Sequence, residues 1–230
     1  MGAAPRNLRA VVMPHPDTRL TPEDLALWYL RLNGFFTIPS FVVHPERQGG
    51  ALTEVDVAGV RLPHRREFPT GDGGDDPEIT AIHGSEPLVV LVEVKGSKCN
   101  LNGPWLGTDP HAVKRLVADL GLLPESLTSE AAAALRSSAA YSDSSISIRL
   151  VCIGRELNSE LHRRYPRLPQ RTWNNVAGFI YSRFSEYRRR KSDNRRWDEA
   201  GRTLWSHFYA AKSMEVFASH VGLAFCVDAA

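Results

Sequence analysis

Glu93 and Lys95 stand two residues apart in LVVLVEVKG (residues 88–96), a run that is otherwise leucine and valine up to its glycine. Side chains at i and i+2 of a β-strand leave the same face, so a strand here projects the carboxylate and the amine together. The β-branched content, with Pro87 before it and Gly96 after it, predicts a short buried strand. Charge on such a strand is costly, because desolvating one ion alone takes several kcal/mol; it needs a partner, a metal or a shifted pKa. The alternative is a strand end whose two side chains reach solvent past the sheet.

Further carboxylates lie on the stretch LTEVDVAGVRL (52–62), which alternates Val55 and Val57 on one face with Glu54 and Asp56 on the other and predicts a second strand. Ahead of it, Thr21 followed by Pro22, Glu23 and Asp24 reads as an N-cap, a first-turn proline and acidic residues that suit a helix N-terminus. The helix would carry Leu25, Leu27, Trp28, Leu30 and Leu32 and stop at Asn33-Gly34. FFTIPSFVV then predicts a strand that Pro39 confines to an edge or a bulge. Residues 63–87, rich in Pro, Gly and Asp, read as a long surface excursion. KCNLNGPWLGTDP reads as a loop, followed by helix from about His111 to Ser137 with a break near Pro124. Ile146–Ile153 is a fourth strand; helices near Thr172–Arg190 and Trp197–His220 and a final apolar strand, LAFCV, complete the order. The class is α/β around one mixed sheet, a single domain over 1–230 with its core at about 20–155 and a basic helical extension at about 160–230.

This order, with Asp56 on one strand and Glu93-Val94-Lys95 on the next, resembles the restriction-endonuclease-like PD-(D/E)XK nuclease superfamily, over roughly residues 20–155. The resolvase-like and Mrr-like branches are the most similar, because Glu23 lies roughly ten residues before the pair Gly34-Phe35, where those branches carry a first-helix glutamate. No proline precedes Asp56, which departs from the motif. The resemblance implies a core of helix, three strands, helix and strand, and a metal-dependent endonuclease acting on DNA without a covalent intermediate. It also implies Mg²⁺, for which Mn²⁺ can substitute, held by Asp56 and Glu93 with the Val94 carbonyl nearby, and Lys95 assisting the attacking water. Duplex or branched DNA is the expected partner, with a second copy of the chain or a subunit of a restriction, repair or phage-defence system. Because some members have lost catalysis, the rival is an inactive nuclease-fold binding or scaffolding subunit.

The chemistry fits those residue types. Mg²⁺ is a hard ion that takes oxygen ligands, commonly one or two carboxylates with water and phosphate. Without a cation, two carboxylates about 4 Å apart repel by about 4 kcal/mol at an effective dielectric of 20. Glu54 is either a second ligand or a solvated neighbour of Asp56, and Glu23 either a ligand or a residue that favours the helix N-terminus. A third class of reading pairs Glu93 with Lys95 at a sheet edge in an interaction protein.

Composition narrows the classes further. The net charge is only +2 over 230 residues, but Arg183, Arg188, Arg189, Arg190, Lys191, Arg195 and Arg196 crowd one segment. Such density draws a phosphate backbone, or else solvates a helix end. Lys98 and Trp105 are further candidates for a nucleic-acid contact. No run is long and apolar enough for a membrane span or signal peptide, so a cytoplasmic protein is expected. Cys99, Cys152 and Cys226 have no CxxC spacing, and the eight histidines no HExxH; GxSxG and GxxxxGK[ST] are absent.

Overall fold

A capping box opens the first helix: the Thr21 hydroxyl accepts from the Asp24 N–H, and the Asp24 carboxylate reaches back to the Thr21 N–H at 3.0 Å. The computed structural model describes residues 20–46, 49–67, 74–81, 85–107, 109–191 and 193–226. In chain order the elements are α1 (Pro22–Leu32), β1 (Phe36–Val43), β2 (Thr53–Arg61), α2 (Pro77–Thr80), β3 (Leu88–Val94), α3 (Gly103–Leu106), α4 (His111–Asp119), α5 (Glu125–Ser138), β4 (Ala140–Ser142), β5 (Ser147–Gly154), α6 (Ser159–Arg164), β6 (Gln170–Thr172), α7 (Trp173–Glu186), α8 (Glu199–Ala210) and α9 (Met214–Cys226).

The six strands form one mixed sheet in the order β1-β2-β3-β5-β4, with β6 also pairing to β5. β1, β2 and β3 are an antiparallel meander, and β5 runs parallel to β3. Helices cover both faces. Leu25, Tyr29 and Leu30 of α1, Ile180 and Phe184 of α7 and Leu204 of α8 pack with Val90 and Val92 on one face. Val113 and Leu116 of α4 and Ala131 and Leu135 of α5 pack with Val89 and Leu91 on the other. Every residue of β3 is therefore buried, which is why its sequence is a continuous apolar run instead of an alternating one. β1 is the edge strand that Pro39 suits, and it leaves Phe36 and Ile38 exposed.

The meander, the paired helices α4 and α5 about Pro124, and α7 stand where the sequence places them. Two expectations are corrected and a third is filled in. The single helix over Trp197–His220 is two, because the chain becomes extended at Ala211 and restarts where the Ser213 hydroxyl accepts the Val216 N–H. LAFCV is no strand: α9 continues to Cys226, and Val227 lies outside the described residues. The excursion at 63–87 does run over the surface in its described parts, but two of its acids tie it to the fold. Asp75 binds Arg61, Arg65 and Arg183, each within 2.9 Å. Asp76 caps α2, accepts from the buried Tyr29 hydroxyl at 2.6 Å and pairs with Arg171. Asp75 and Asp76 thus meet cations contributed by β2, the turn after it, β6 and α7, so their charge is neutralised internally.

Asn33 fastens this clasp. It ends α1, with Gly34 at φ +81° completing the turn as glycine readily does. Its buried amide donates to the Tyr29 carbonyl at 2.9 Å and accepts the Asp76 N–H at 2.7 Å. Asn33→Ala strands that buried N–H and should cost about 1–3 kcal/mol, read as a lower urea midpoint at unchanged m-value. An unchanged midpoint would show that the clasp does not depend on Asn33.

Candidate active site

The site is built where β2 and β3 part. Their ladder runs from Arg61 opposite Leu88 to Val57 opposite Val92. Beyond it, the next β3 backbone group facing β2 is the Val94 N–H, which a continued ladder would pair near Val55. Here the β1–β2 ribbon turns over: Ser40, opposite Asp56, has φ +47°, and Val55 and Val57 join different cores. The alternation expected from the sequence, with both valines on one face, holds for their burial but not for their direction. Asp56 supplies the missing acceptor, its Oδ2 taking the Val94 N–H at 2.6 Å. A lost ladder bond thus brings a carboxylate to the end of β3.

Glu93 is waiting there, only 1 % exposed. Its Oε1 accepts from the Trp105 indole N–H at 2.7 Å and its Oε2 from the Lys95 ammonium at 2.9 Å. Lys95 Nζ also donates to Asn102 Oδ1 at 3.0 Å and lies 4.0 Å from Asp56 Oδ2. The lysine backbone is fixed on both sides, by its N–H to the Ile153 carbonyl at 2.8 Å and by the Trp173 indole N–H on its own carbonyl at 3.1 Å. One cation therefore bridges two carboxylates from adjacent strands. Burial is the largest influence on Glu93 and raises its pKa above the usual 4.5; Lys95 and Trp105 pull against it, and the Asp56 charge adds to it.

The other candidates are placed as follows. A strand residue's N–H and C=O point to the same side, so the Val94 carbonyl faces the Asp56 side of β3. Glu54 is exposed and Glu23 is half-buried in the first turn of α1. Neither hydrogen bonds to Asp56, Glu93 or Lys95 among the described residues, and Asp24, not Glu23, completes the capping box. Lys98 is exposed, bridged through its backbone to Glu156. Trp105 is 1 % exposed, which removes it from any contact with a base.

The arginine segment divides. Arg183 is buried and paired with Asp75, and Lys191 with Glu67 at 2.7 Å, so these two face partners within the fold. Arg188 lies over Tyr209 and Arg195 pairs with Asp193; Arg188, Arg189, Arg190, Arg195 and Arg196 are exposed. Its exposed part, Arg188–Arg196, follows α7, which starts at Trp173 beside Lys95 and ends where Arg183 meets Asp75, itself bound to Arg61 opposite Leu88. At about 1.5 Å per helical residue it lies roughly 20 Å from Glu93.

Asn102 went unassigned in the sequence and Trp105 was assigned to a nucleic-acid contact instead of to Glu93, although a buried carboxylate demands donors and both lie within the loop that follows it. Among the described residues no group of three or more His, Cys, Asp or Glu is gathered for a metal. No family model, curated protein or solved structure matches the chain.

A carboxyl group with a raised folded-state pKa binds its proton more tightly in the folded chain than in the unfolded one. Its ionisation therefore lowers stability as pH rises from the unfolded value through the folded one. Wild type should lose ground to Glu93→Gln between pH 4.5 and neutrality. Urea unfolding of both proteins at the two ends of that window measures the difference; a gap that stays constant, or moves in wild type's favour as pH rises, contradicts it.

Proposed function

We propose that the chain is a metal-dependent nuclease that hydrolyses phosphodiester bonds of DNA. The observation that carries this reading is the convergence of Asp56, Glu93 and Lys95 at the parting of β2 and β3. It is supported by the order of the elements, α1, then β1, β2 and β3, then the helices α4 and α5 and the strand β5, which fits the helix, three strands, helix and strand that the resemblance to PD-(D/E)XK nucleases implies.

The donor set suits a hard divalent cation, Mg²⁺ with Mn²⁺ as substitute. Asp56 Oδ1 has no hydrogen-bond partner among the described residues, Glu93 Oε2 is held only by Lys95, and the Val94 carbonyl faces the same side. Such an ion, when bound, supplies a Lewis acid for the phosphate and a more acidic water. The chain does the rest. Trp105 keeps Glu93 Oε1 fixed, so the carboxylate presents Oε2 in one direction. Asp56 is oriented by the Val94 N–H. Lys95, released from Oε2 but still tethered by Asn102, is set to orient the attacking water or to face the charge that develops on the phosphate.

A second reading, an inactive nuclease-fold subunit that binds or scaffolds, is favoured by one observation: both Glu93 oxygens already have donors, so Lys95 balances the carboxylates without any metal. Cleavage assays separate the two. Asp56→Asn and Glu93→Gln should each lower Mg²⁺-dependent cleavage by on the order of 100-fold or more while remaining folded; equal activity in all three proteins contradicts the assignment. Absence of cutting by wild type with either Mg²⁺ or Mn²⁺ supports the inactive subunit. Lys95→Met should reduce turnover more than Mg²⁺ affinity measured by calorimetry, and the reverse pattern would make Lys95 a structural partner of Glu93.

A further inference from the structure

Beside β5, on the side of the sheet away from β2, lies a cleft of about 640 Å³ between β4 and β6. Arg149 from β5 and Arg167 from the turn after α6 both line it. Arg149 donates to the Ala81 carbonyl at 2.8 Å, but neither guanidinium has a carboxylate partner among the described residues; Glu78, which also lines the cleft, pairs with neither. Other half-buried arginines of the fold, Arg61, Arg65 and Arg171, meet acids at Asp75 and Asp76. Two unpaired guanidinium groups in one cleft repel each other, and an anion between them removes that conflict. Burial and the Arg167 charge both lower the Arg149 pKa, as expected for such a pair.

The surroundings point to a polyanion. Residues 149–171 hold six arginines against two glutamates, and Arg163 and Arg164 are exposed on α6 next to the cleft. This segment is fastened to the loop that carries Lys95 and Asn102. The Arg155 N–H donates to the Ser97 carbonyl at 2.6 Å, the Cys99 N–H to the Glu156 carbonyl at 2.8 Å and the Asn158 side chain to the Cys99 carbonyl at 2.9 Å. By register Arg149 stands three residues along and one strand across from Glu93, on the order of 11 Å between backbones, the span of about three nucleotides at about 3.4 Å each.

We propose that Arg149 and Arg167 grip a backbone phosphate of the nucleic acid, several nucleotides along the strand that lies at Asp56, Glu93 and Lys95. The inference rests on the nuclease reading for the position of that strand, but the grip itself needs no catalysis. It puts the backbone track along β5, α6 and β6, around the sheet edge where that segment is fastened to the Lys95 loop, because Arg149, level with Val90, leaves the face opposite to Glu93.

The test is binding of fluorescein-labelled DNA to the full chain in EDTA, followed by anisotropy over a salt series. Arg167 is exposed and bonded to no described residue, so Arg167→Gln leaves the fold intact. It should weaken binding several-fold on every sequence and flatten log affinity against log salt by about one unit, with Arg167→Lys recovering the slope. Arg149→Gln should do the same. An unchanged slope in Arg167→Gln overturns the proposal, as does a wild type that binds no DNA. Inorganic phosphate provides the second arm: if it stabilises wild type thermally and loses that effect in Arg167→Gln while DNA binding is unaltered, the cleft takes a free anion and the proposal fails. A parallel Mg²⁺ cleavage assay keeps the two claims apart. A flattened slope with no cleavage by wild type retains the grip and rejects the nuclease; cleavage with an unaltered slope does the opposite.

Discussion

A carboxylate buried at the end of a strand that is covered on both faces must be compensated, and most of the site follows from how Glu93 is compensated. Trp105 can donate to Oε1 only because the loop after β3 folds back as α3 and buries the indole. Lys95 can reach Oε2 only because two residues of strand geometry put both side chains on one face. Each of these contacts falls on a residue within a dozen positions of Glu93, so the acidic half of the site is assembled locally. Asp56 is the non-local part, and it arrives because β2 leaves the ladder one pair too early.

That early parting ties site to fold. In a regular sheet the Val94 N–H would bond to a backbone carbonyl, and Asp56 would have no reason to approach β3. The left-handed Ser40 marks the place where the β1–β2 ribbon turns over, and such non-glycine conformations are commonly held by the structure around them at functional sites. The site is therefore a local departure from regular pairing, set at the end of a strand whose other six residues form the centre of both cores.

The parts legible in the sequence are those with short-range causes. The N-cap at Thr21, the edge strand marked by Pro39, the buried run at 88–94 and the shared face of Glu93 and Lys95 all follow from residue type and spacing. Asp56 was legible as a carboxylate on a neighbouring strand, but its bond to Val94 depends on Ser40, a residue that gives no sign of a left-handed conformation. The internal pairings of Asp75 and Asp76 were not legible, because their partners are scattered; Asp75 meets Arg183 across 108 positions, and composition carries no record of such pairings. The same pairing withdraws Arg183 from a basic surface that sequence density alone would assign to it. Cys99 and Cys152, scattered in the sequence, are both buried, Cys99 within the loop that follows β3, with its thiol near the Cys152 carbonyl.

One ammonium group now balances Asp56 and Glu93, so the account turns on whether a divalent ion takes its place. A crystal soaked in Mn²⁺ and measured for anomalous scattering addresses this directly. The account predicts a peak bonded by Asp56 Oδ1 and Glu93 Oε2, on the side of the Val94 carbonyl, with Lys95 Nζ moved away from Oε2 and still within reach of Asn102. No peak between the carboxylates, with Lys95 Nζ still 2.9 Å from Glu93 Oε2, would contradict it.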